Sequence, residues 1–594
     1  MLTYKIWPAS VHAHLFHIRL SVPVKGQETI LFRLPAWIPG SYMIRDFAKN
    51  IVTMKAFSNQ KEYPIEQIDK HSWQVATKDL DVVEIHYEVY AFDLSVRGAF
   101  LDKDRAFFNH TSLCLYVEGQ RDQPCQLLLS KPELPELKHW QLATALPAIE
   151  IDQYGFGLYQ ADSYDCLIDC PVEMGCFSRL CFDVLGIPHE FIISGIFNGD
   201  LERLVHDTQK ICAAQIKLFS GQAPFERYVF LLHVSDDVYG GLEHLSSTAL
   251  LASRDCLPMK GAQALTDEYI QLLGLISHEY FHAWNVKSIK PQAFEEYDLN
   301  QEVYTKQLWA FEGITSYYDD LMLLRSGVID ARIYLDLLAK NITRVQRGNG
   351  RTKQTLTQSS FNAWTKYYKQ DENSINAIVS YYQKGALFAL ALDLYIREQT
   401  GQQHSLDDVM RALYQYYKNE QLGVKEEGQW QSIAEQTVGV SLAAFFKQGL
   451  NDVQDLPLSK LLKYVGIDFY WLVRPYAQLG GFVDAVPDNQ PECIDLGFKY
   501  QNIASGLKVS QVLDCSIAQQ AGIYVADELI ALNGYKITDF YKQLERFKEE
   551  GFVHVHLFRH GVLQKVRLEL TPLQENTCYL MASQIDQIQW LNIF

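Results

Sequence analysis

Apolar and polar residues alternate in short runs through roughly the first 170 positions, and Gly, Pro and Asp break the runs. That period-two pattern predicts an all-β region. Near its start Val11, Ala13, Leu15 and His17 fall at one parity and read as a half-buried strand. Strands continue from about 175 to 235 in LCFDVLGI, HEFIISGIF and YVFLLHV. One helix interrupts them, LERLVHDTQKICAAQIKLF, with Asp200 as its cap and Gly221 past its end. From 264 to about 450 helical periodicity takes over. Asp267 is placed to cap EYIQLLGLISHEYFHAW, and EVYTKQLWAFEGITSYYDDLMLLR stops at Ser326-Gly327. INAIVSYYQKGALFALALDLYIREQ stops near Gly401, and SLDDVMRALYQYY opens with Ser405 and Asp408 at capping-box spacing. Short strands return from about 470 to 572. There SGLKVSQVLDCSIAQQAGIYVADELIALNGYKI reads as a strand, a short helix ending at Ala521-Gly522, a charged turn at Asp527-Glu528, and a strand closed by Asn533-Gly534. Strands followed by a helical block imply an α+β body.

At 594 residues the chain exceeds what one core can hold, and three or four domains are expected. The formal charge of -18 argues against nucleic acid or an anionic membrane as the main partner, since both need a basic face. The N-terminus lacks the basic-then-apolar layout of a secretory signal, and no stretch reaches the roughly 18 apolar residues that span a bilayer. Eleven scattered cysteines suit free thiols in a reducing compartment, so the cytoplasm is the expected location. Cys166, Cys170, Cys176 and Cys181 contain no C-x-x-C pair, and the surrounding LIDCPVEMGCFSRLCFDVL reads as strand. They are expected to be buried structural thiols rather than a ligand set.

The chemistry concentrates in LISHEYFHAWNVKS. Positions i and i+4 share a helix face, about 6 Å apart along the axis, so His278 and His282 can aim two nitrogens at one metal ion. Glu279 projects beside them, suited to take a proton from water at the metal. The five-residue pattern also arises by chance, as two histidines on an amphipathic helix. Three features add to it. LWAFEGITSYY places Glu312 in an apolar helix where an unpaired carboxylate is costly; it completes the ligand set, or else pairs with a lysine or sits on the helix's wet side. YGGLEHLSS follows a strand: Gly240 and Gly241 let a substrate backbone approach, and Glu243 can hold an α-ammonium, or the stretch is a hairpin turn with a solvated glutamate. In VSYYQKGAL the Tyr382 hydroxyl can donate to an oxyanion, with Tyr381 on a different face, or either is simply core. Upstream, RLPAWIPGSYMIRDFAKN carries a tight turn at Ile38–Ser41 and an exposed Arg45–Asp46 pair.

The order GGLEH, HEYFH, an EG-containing helix, then YQKG resembles the gluzincin metallopeptidases, among them the aminopeptidase N and leukotriene hydrolase group. Closer is the resemblance to the glycyl aminopeptidase family, in PAWIPGSYMIRDF, HEYFHAWNVKSIKP, LWAFEGITSYY and a C-terminal PDZ domain, over nearly the whole length. It implies a multidomain α+β fold: an N-terminal β domain (1–170), a thermolysin-like zinc peptidase domain (171–465), and a PDZ-like domain with a C-terminal extension (466–594). It further implies that His278, His282 and Glu312 hold Zn2+, that Glu279 is the general base, that Tyr382 supports the oxyanion, and that Glu243 recognises a free amino terminus. Leu496-Gly497-Phe498 looks like the PDZ loop that grips a peptide's C-terminal carboxylate, or the domain packs against the catalytic body and binds nothing. Two features depart from the aminopeptidase N pattern. Twenty-nine residues separate His282 from Glu312, and Leu242 and His244 stand where that group has Met and Asn.

The expected function is therefore a zinc aminopeptidase acting on peptides, with a small first residue such as Gly or Ala implied by the family name. Nucleic acid and membrane are not expected as partners. The alternatives are a zinc endopeptidase using the same site, or a PDZ-based peptide-binding protein with an inert metal domain.

Overall fold

The computed structural model describes every residue except 25, 491, 593 and 594; the last two end the expected C-terminal extension and lie outside the described residues. The chain forms two compact units, residues 1–304 with 413–425 and residues 305–412 with 426–594.

The first unit opens with an eight-stranded sheet in which Leu2–Ser10 pairs antiparallel with Leu15–Pro23 and parallel with Cys125–Leu129. Phe16, Ile18, Leu20 and Val22 face its core. This overturns the parity expected from Val11, Ala13, Leu15 and His17. Residues 11–14 are the turn, with His14 left-handed at φ 58. The strand buries its bulkier apolar set, and a one-residue offset exchanges the two faces. The β region ends in α1 (Tyr164–Ile168), capped by Ser163 and closed by Asp169. LIDCPVEMGCFSRLCFDVL is thus part helix and part strand. Of Cys166, Cys170, Cys176 and Cys181 only Cys170 is buried, so the buried-thiol expectation fails for Cys166, Cys176 and Cys181, which are exposed.

A mixed sheet follows, built from β1 (Ser178–Val184), β2 (Ile187–Ser194), β3 (Tyr228–Ser235), β4 (Gly240–Glu243) and β5 (Ser247–Ser253). Its order is β1-β2-β3-β5-β4, with β2, β3 and β5 parallel and the two outer pairs antiparallel. The crossover from β2 to β3 is α2 (Leu201–Leu218), capped by Asp200 as its sequence implies. Tyr228 to Leu232 are all buried, as a strand covered on both faces requires. Against α2, β4 and β5 packs α3 (Asp267–Phe281). Its cap is Thr266, whose hydroxyl accepts from Tyr269 N–H at 3.1 Å. Asp267 and Glu268 instead fill the first turn, where negative charge suits the helix dipole.

In the second unit the helix expected from Glu302 begins only at Trp309. A π-helical turn, Trp309–Gly313, runs into α4 (Ile314–Arg325). Glu426 holds the preceding segment out of the helix by accepting from Thr305 Oγ1 and from Lys306 N–H. After α5 (Ala331–Arg347) comes α6 (Gln383–Thr400), which ends at left-handed Gly401. The helix expected through Ser380 and Tyr381 is broken, since Gln354 Oε1 takes the Val379 N–H at 2.9 Å. Asp408 accepts from Ser405 N–H at 2.9 Å, as the capping pattern implies.

Strands Asp468–Leu472 and Thr577–Met581 pair antiparallel. Between them lie β6 (Phe498–Ile503), β7 (Gly506–Val512), α7 (Ile517–Ala521), β8 (Glu528–Leu532), α8 (Phe540–Glu545), β9 (Phe552–Arg559) and β10 (Val562–Glu569). The sheet order is β6-β7-β8-β9-β10, around Leu496, Leu507, Leu529, Val555 and Leu557. Asn533-Gly534 turns the chain after β8 with both φ values positive. At the expected charged turn Asp527 is buried and paired with Arg559 at 2.6 Å.

Candidate active site

β4 and the C-terminal end of α3 bring three of the expected site side chains together. Glu243, Glu279 and His282 are each at most 5% exposed, and each offers a ligand atom within 4.8 Å of the others. The imidazoles of His278 and His282 stand 4.6 Å apart between centroids and nearly perpendicular. His282 Nδ1–H donates to Asn285 O at 2.7 Å, which makes Nε2 the lone-pair nitrogen of the neutral ring. Two close approaches shape the space. A Cβ on Gly241 would fall 2.0 Å from Glu279 Oε1, so only glycine lets that carboxylate lie against the strand. Gly40, at φ +88, would put a Cβ 2.6 Å from both Glu243 oxygens. The Ile38–Ser41 turn therefore rests on Glu243. Arg45 and Asp46 do not pair as expected; Arg45 donates to Ser41 Oγ and Lys70 to Asp46. Beside half-buried Gly240, Arg97 donates to Gly241 O at 3.2 Å.

Behind Glu243 lies a network that sequence reasoning missed. Asp169 Oδ1 accepts from His244 Nδ1–H (3.2 Å) and Lys287 Nζ (2.5 Å), and Oδ2 accepts from Leu245 N–H (2.9 Å). Burial pushes the Asp169 carboxyl up, but Lys287 and His244 outweigh it and bring it down to about 2. The same pair holds Lys287 above the usual lysine value against burial. Lys287 lies in HEYFHAWNVKSIKP, five residues past His282, and is visible as a cation near the motif. Nothing local to LIDCP marks Asp169.

In the second unit Glu312 sits in the π-helical turn, 2% exposed. Tyr382 immediately precedes α6, half-buried and stacked on Tyr381 at 4.7 Å. Burial of the hydroxyl, then the Glu312 carboxylate, raise the Tyr382 phenol well above its usual value. It is a hydrogen-bond donor across the neutral range. Tyr381 is fully buried.

Among the described residues Glu243, Glu279 and His282 carry donors able to hold a metal ion; the expected set of His278, His282 and Glu312, two imidazoles and one carboxylate, is of the nitrogen–oxygen kind that suits zinc in a hydrolytic site.

Leu496 and Phe498 place their side chains in the core of the C-terminal sheet module. The Gly497 N–H donates to the chain's own Asp495 Oδ1 at 2.8 Å, so that amide is already engaged by a carboxylate. Gly497 and Phe498 line a cavity of about 760 Å³ together with Tyr500, Tyr541, Arg344 and Arg351.

A sequence profile of the M61 peptidase N-terminal domain matches residues 3–176, and one of the M61 glycyl aminopeptidase matches residues 271–388. A crystal structure of an aminopeptidase N family protein from Idiomarina loihiensis is 40% identical, with a TM-score of 0.94 and 100% of each chain covered. The M1 zinc metallopeptidase of Deinococcus radiodurans is 13% identical with a TM-score of 0.47, covering 77% of this chain and 94% of that one. Legionella pneumophila aminopeptidase A, in complex with aspartic acid, is 12% identical with a TM-score of 0.48, covering 76% of this chain and 49% of that one. No curated protein matches the sequence. Among the described residues no helix is long and apolar enough to cross a membrane.

Proposed function

The chain belongs to the M61 glycyl aminopeptidase family and is a metallopeptidase, and from that premise we propose that it is a zinc aminopeptidase removing small residues such as Gly or Ala from peptide amino termini. His278, His282 and Glu312 would hold the metal. Bound there, zinc would supply Lewis acidity, polarising the scissile carbonyl and acidifying water. Glu279 takes a proton from the attacking water and returns it to the leaving amine. Tyr382, kept protonated by its surroundings, donates to the carbonyl oxygen as charge develops there. Glu243 accepts hydrogen bonds from the substrate ammonium.

The observation that carries this reading is the close pair of buried carboxylates, Glu243 and Glu279, beside His282. Two like charges out of water are costly unless cations join them. A metal ion and a substrate ammonium are the cations an aminopeptidase brings. The Ile38–Ser41 turn over Glu243 supports a closed end to the cleft, where an endopeptidase needs an open one. The chain would divide into three domains at about residues 170 and 465, the C-terminal one PDZ-like. Asp495 on the Gly497 amide favours a packing role for that loop over capture of an outside carboxylate.

Glu279→Gln tests the assignment. It should keep stoichiometric zinc and lose about 10²-fold or more of turnover, as removal of a general base does. Loss of the metal instead would favour the second donor group, Glu243 with Glu279 and His282. Wild-type turnover would defeat the role outright.

A further inference from the structure

We infer that Asp169, His244 and Lys287 form a clamp that fixes the spacing between Glu243 and the helix bearing His278 and His282, and so confines cleavage to the bond one residue in from a free amino terminus. The inference rests on the reading of Glu243 as the carboxylate that binds that terminus.

Glu243 and His244 are adjacent at the end of β4, and successive side chains of an extended chain point to opposite faces. Glu243 faces Glu279 and His282; His244 faces Asp169. Asp169 uses both oxygens on the two residues after Glu243, through the His244 ring and the Leu245 N–H. The front of Glu243 is tied to β5, where it lies opposite Thr248, and Thr248 Oγ1 donates to Leu242 O at 3.0 Å. The strand end is thus held on both sides. Lys287 carries the tie onward, since its Nζ binds Asp169 while its own N–H donates to His282 O at 2.9 Å. The amine-binding carboxylate and a proposed zinc ligand are therefore joined through Asp169 by hydrogen bonds and the covalent chain between them.

Charge gives the clamp a second role. Lys287 lies near enough to feel the Glu243 charge as well as that of Asp169. Asp169 takes its ammonium, and the two cancel. Glu243 Oε1 is left with no hydrogen-bond partner among the described residues, although it is buried. An incoming ammonium then meets a carboxylate with an unsatisfied oxygen and no competing lysine. Without Asp169, Lys287 would be drawn to Glu243 and occupy the subsite. Asp169, His244 and Lys287 are positioning residues that touch neither substrate nor metal.

The test compares Asp169→Asn, Lys287→Met, Lys287→Arg and Glu243→Gln as full-length, zinc-loaded enzymes. Each is assayed on an alanyl anilide, its N-acetylated form and a tetrapeptide whose products are identified. Asp169→Asn and Lys287→Met should raise KM for the free-amine substrate by about tenfold with kcat within about threefold. Both should release some dipeptide from the tetrapeptide and keep zinc, and Lys287→Arg should restore KM. Unchanged KM and single-residue release in both variants, while Glu243→Gln raises KM, would overturn the clamp and leave the Glu243 reading intact. Zinc loss with parallel falls in kcat and 1/KM would reduce the network to a structural support and also overturn it. If Glu243→Gln itself leaves KM and the rejection of acetylated substrate unaltered, the reading of Glu243 fails first.

Discussion

At the scale of single residues, local surroundings push individual groups in opposite directions. The Tyr382 hydroxyl is held protonated by burial and by Glu312, so it can donate to an oxyanion but not act as a base. Tyr382→Phe should therefore keep metal and KM while lowering kcat by about 10²-fold, the loss typical of one oxyanion donor; a steady-state comparison with Tyr381→Phe, whose ring is core, separates the two. Asp169 titrates in the other direction. Its folded value of about 2 lies below the ordinary 3.8, so its ion pair stabilises the fold fully above that ordinary value, and the gain is lost as pH falls through about 2. Acid denaturation of Asp169→Asn should lack that limb and start from a stability lower by about 2 kcal/mol at neutral pH, read by circular dichroism between pH 2 and pH 6. The HEYFH pair and Glu279 were legible because i, i+4 spacing is a property of the helix alone. Asp169 was not, because its partners lie 75 and 118 residues away.

At the scale of elements, local pattern identified the right segments but not always their ends. α2 and its Asp200 cap, and the Asn533-Gly534 turn, follow from residues within a few positions. The late start of the Glu312 helix follows from Glu426, more than a hundred residues on. The break before α6 likewise answers to Gln354, which no periodicity in INAIVSYY reveals. The close packing of β4 on α3 makes a sharper prediction. Gly241→Ala would bring a methyl onto Glu279 Oε1 and should cut kcat/KM by about 10²-fold with zinc content and melting temperature little changed; metal analysis beside a thermal melt checks that the damage is local.

For the whole molecule, metal binding and folding should be linked. A ligand that binds only the folded chain stabilises it by about 2.7 kcal/mol when free ligand is a hundredfold above Kd. Chelation should therefore lower the melting temperature of the wild type and leave that of His278→Ala unmoved. The sequence by itself determined the β-then-helical order of the chain, the two histidines with their glutamate, and the residue types of a metallopeptidase, because each depends on periodicity or on spacing within one element. Tertiary structure alone decided which strand parity is buried at the N-terminus, that the Ile38–Ser41 turn roofs Glu243, and that Asp169 clamps His244 to Lys287. Those depend on side chains far apart in sequence meeting in a low-dielectric interior, where every buried charge must find a partner and no local pattern records which one it found.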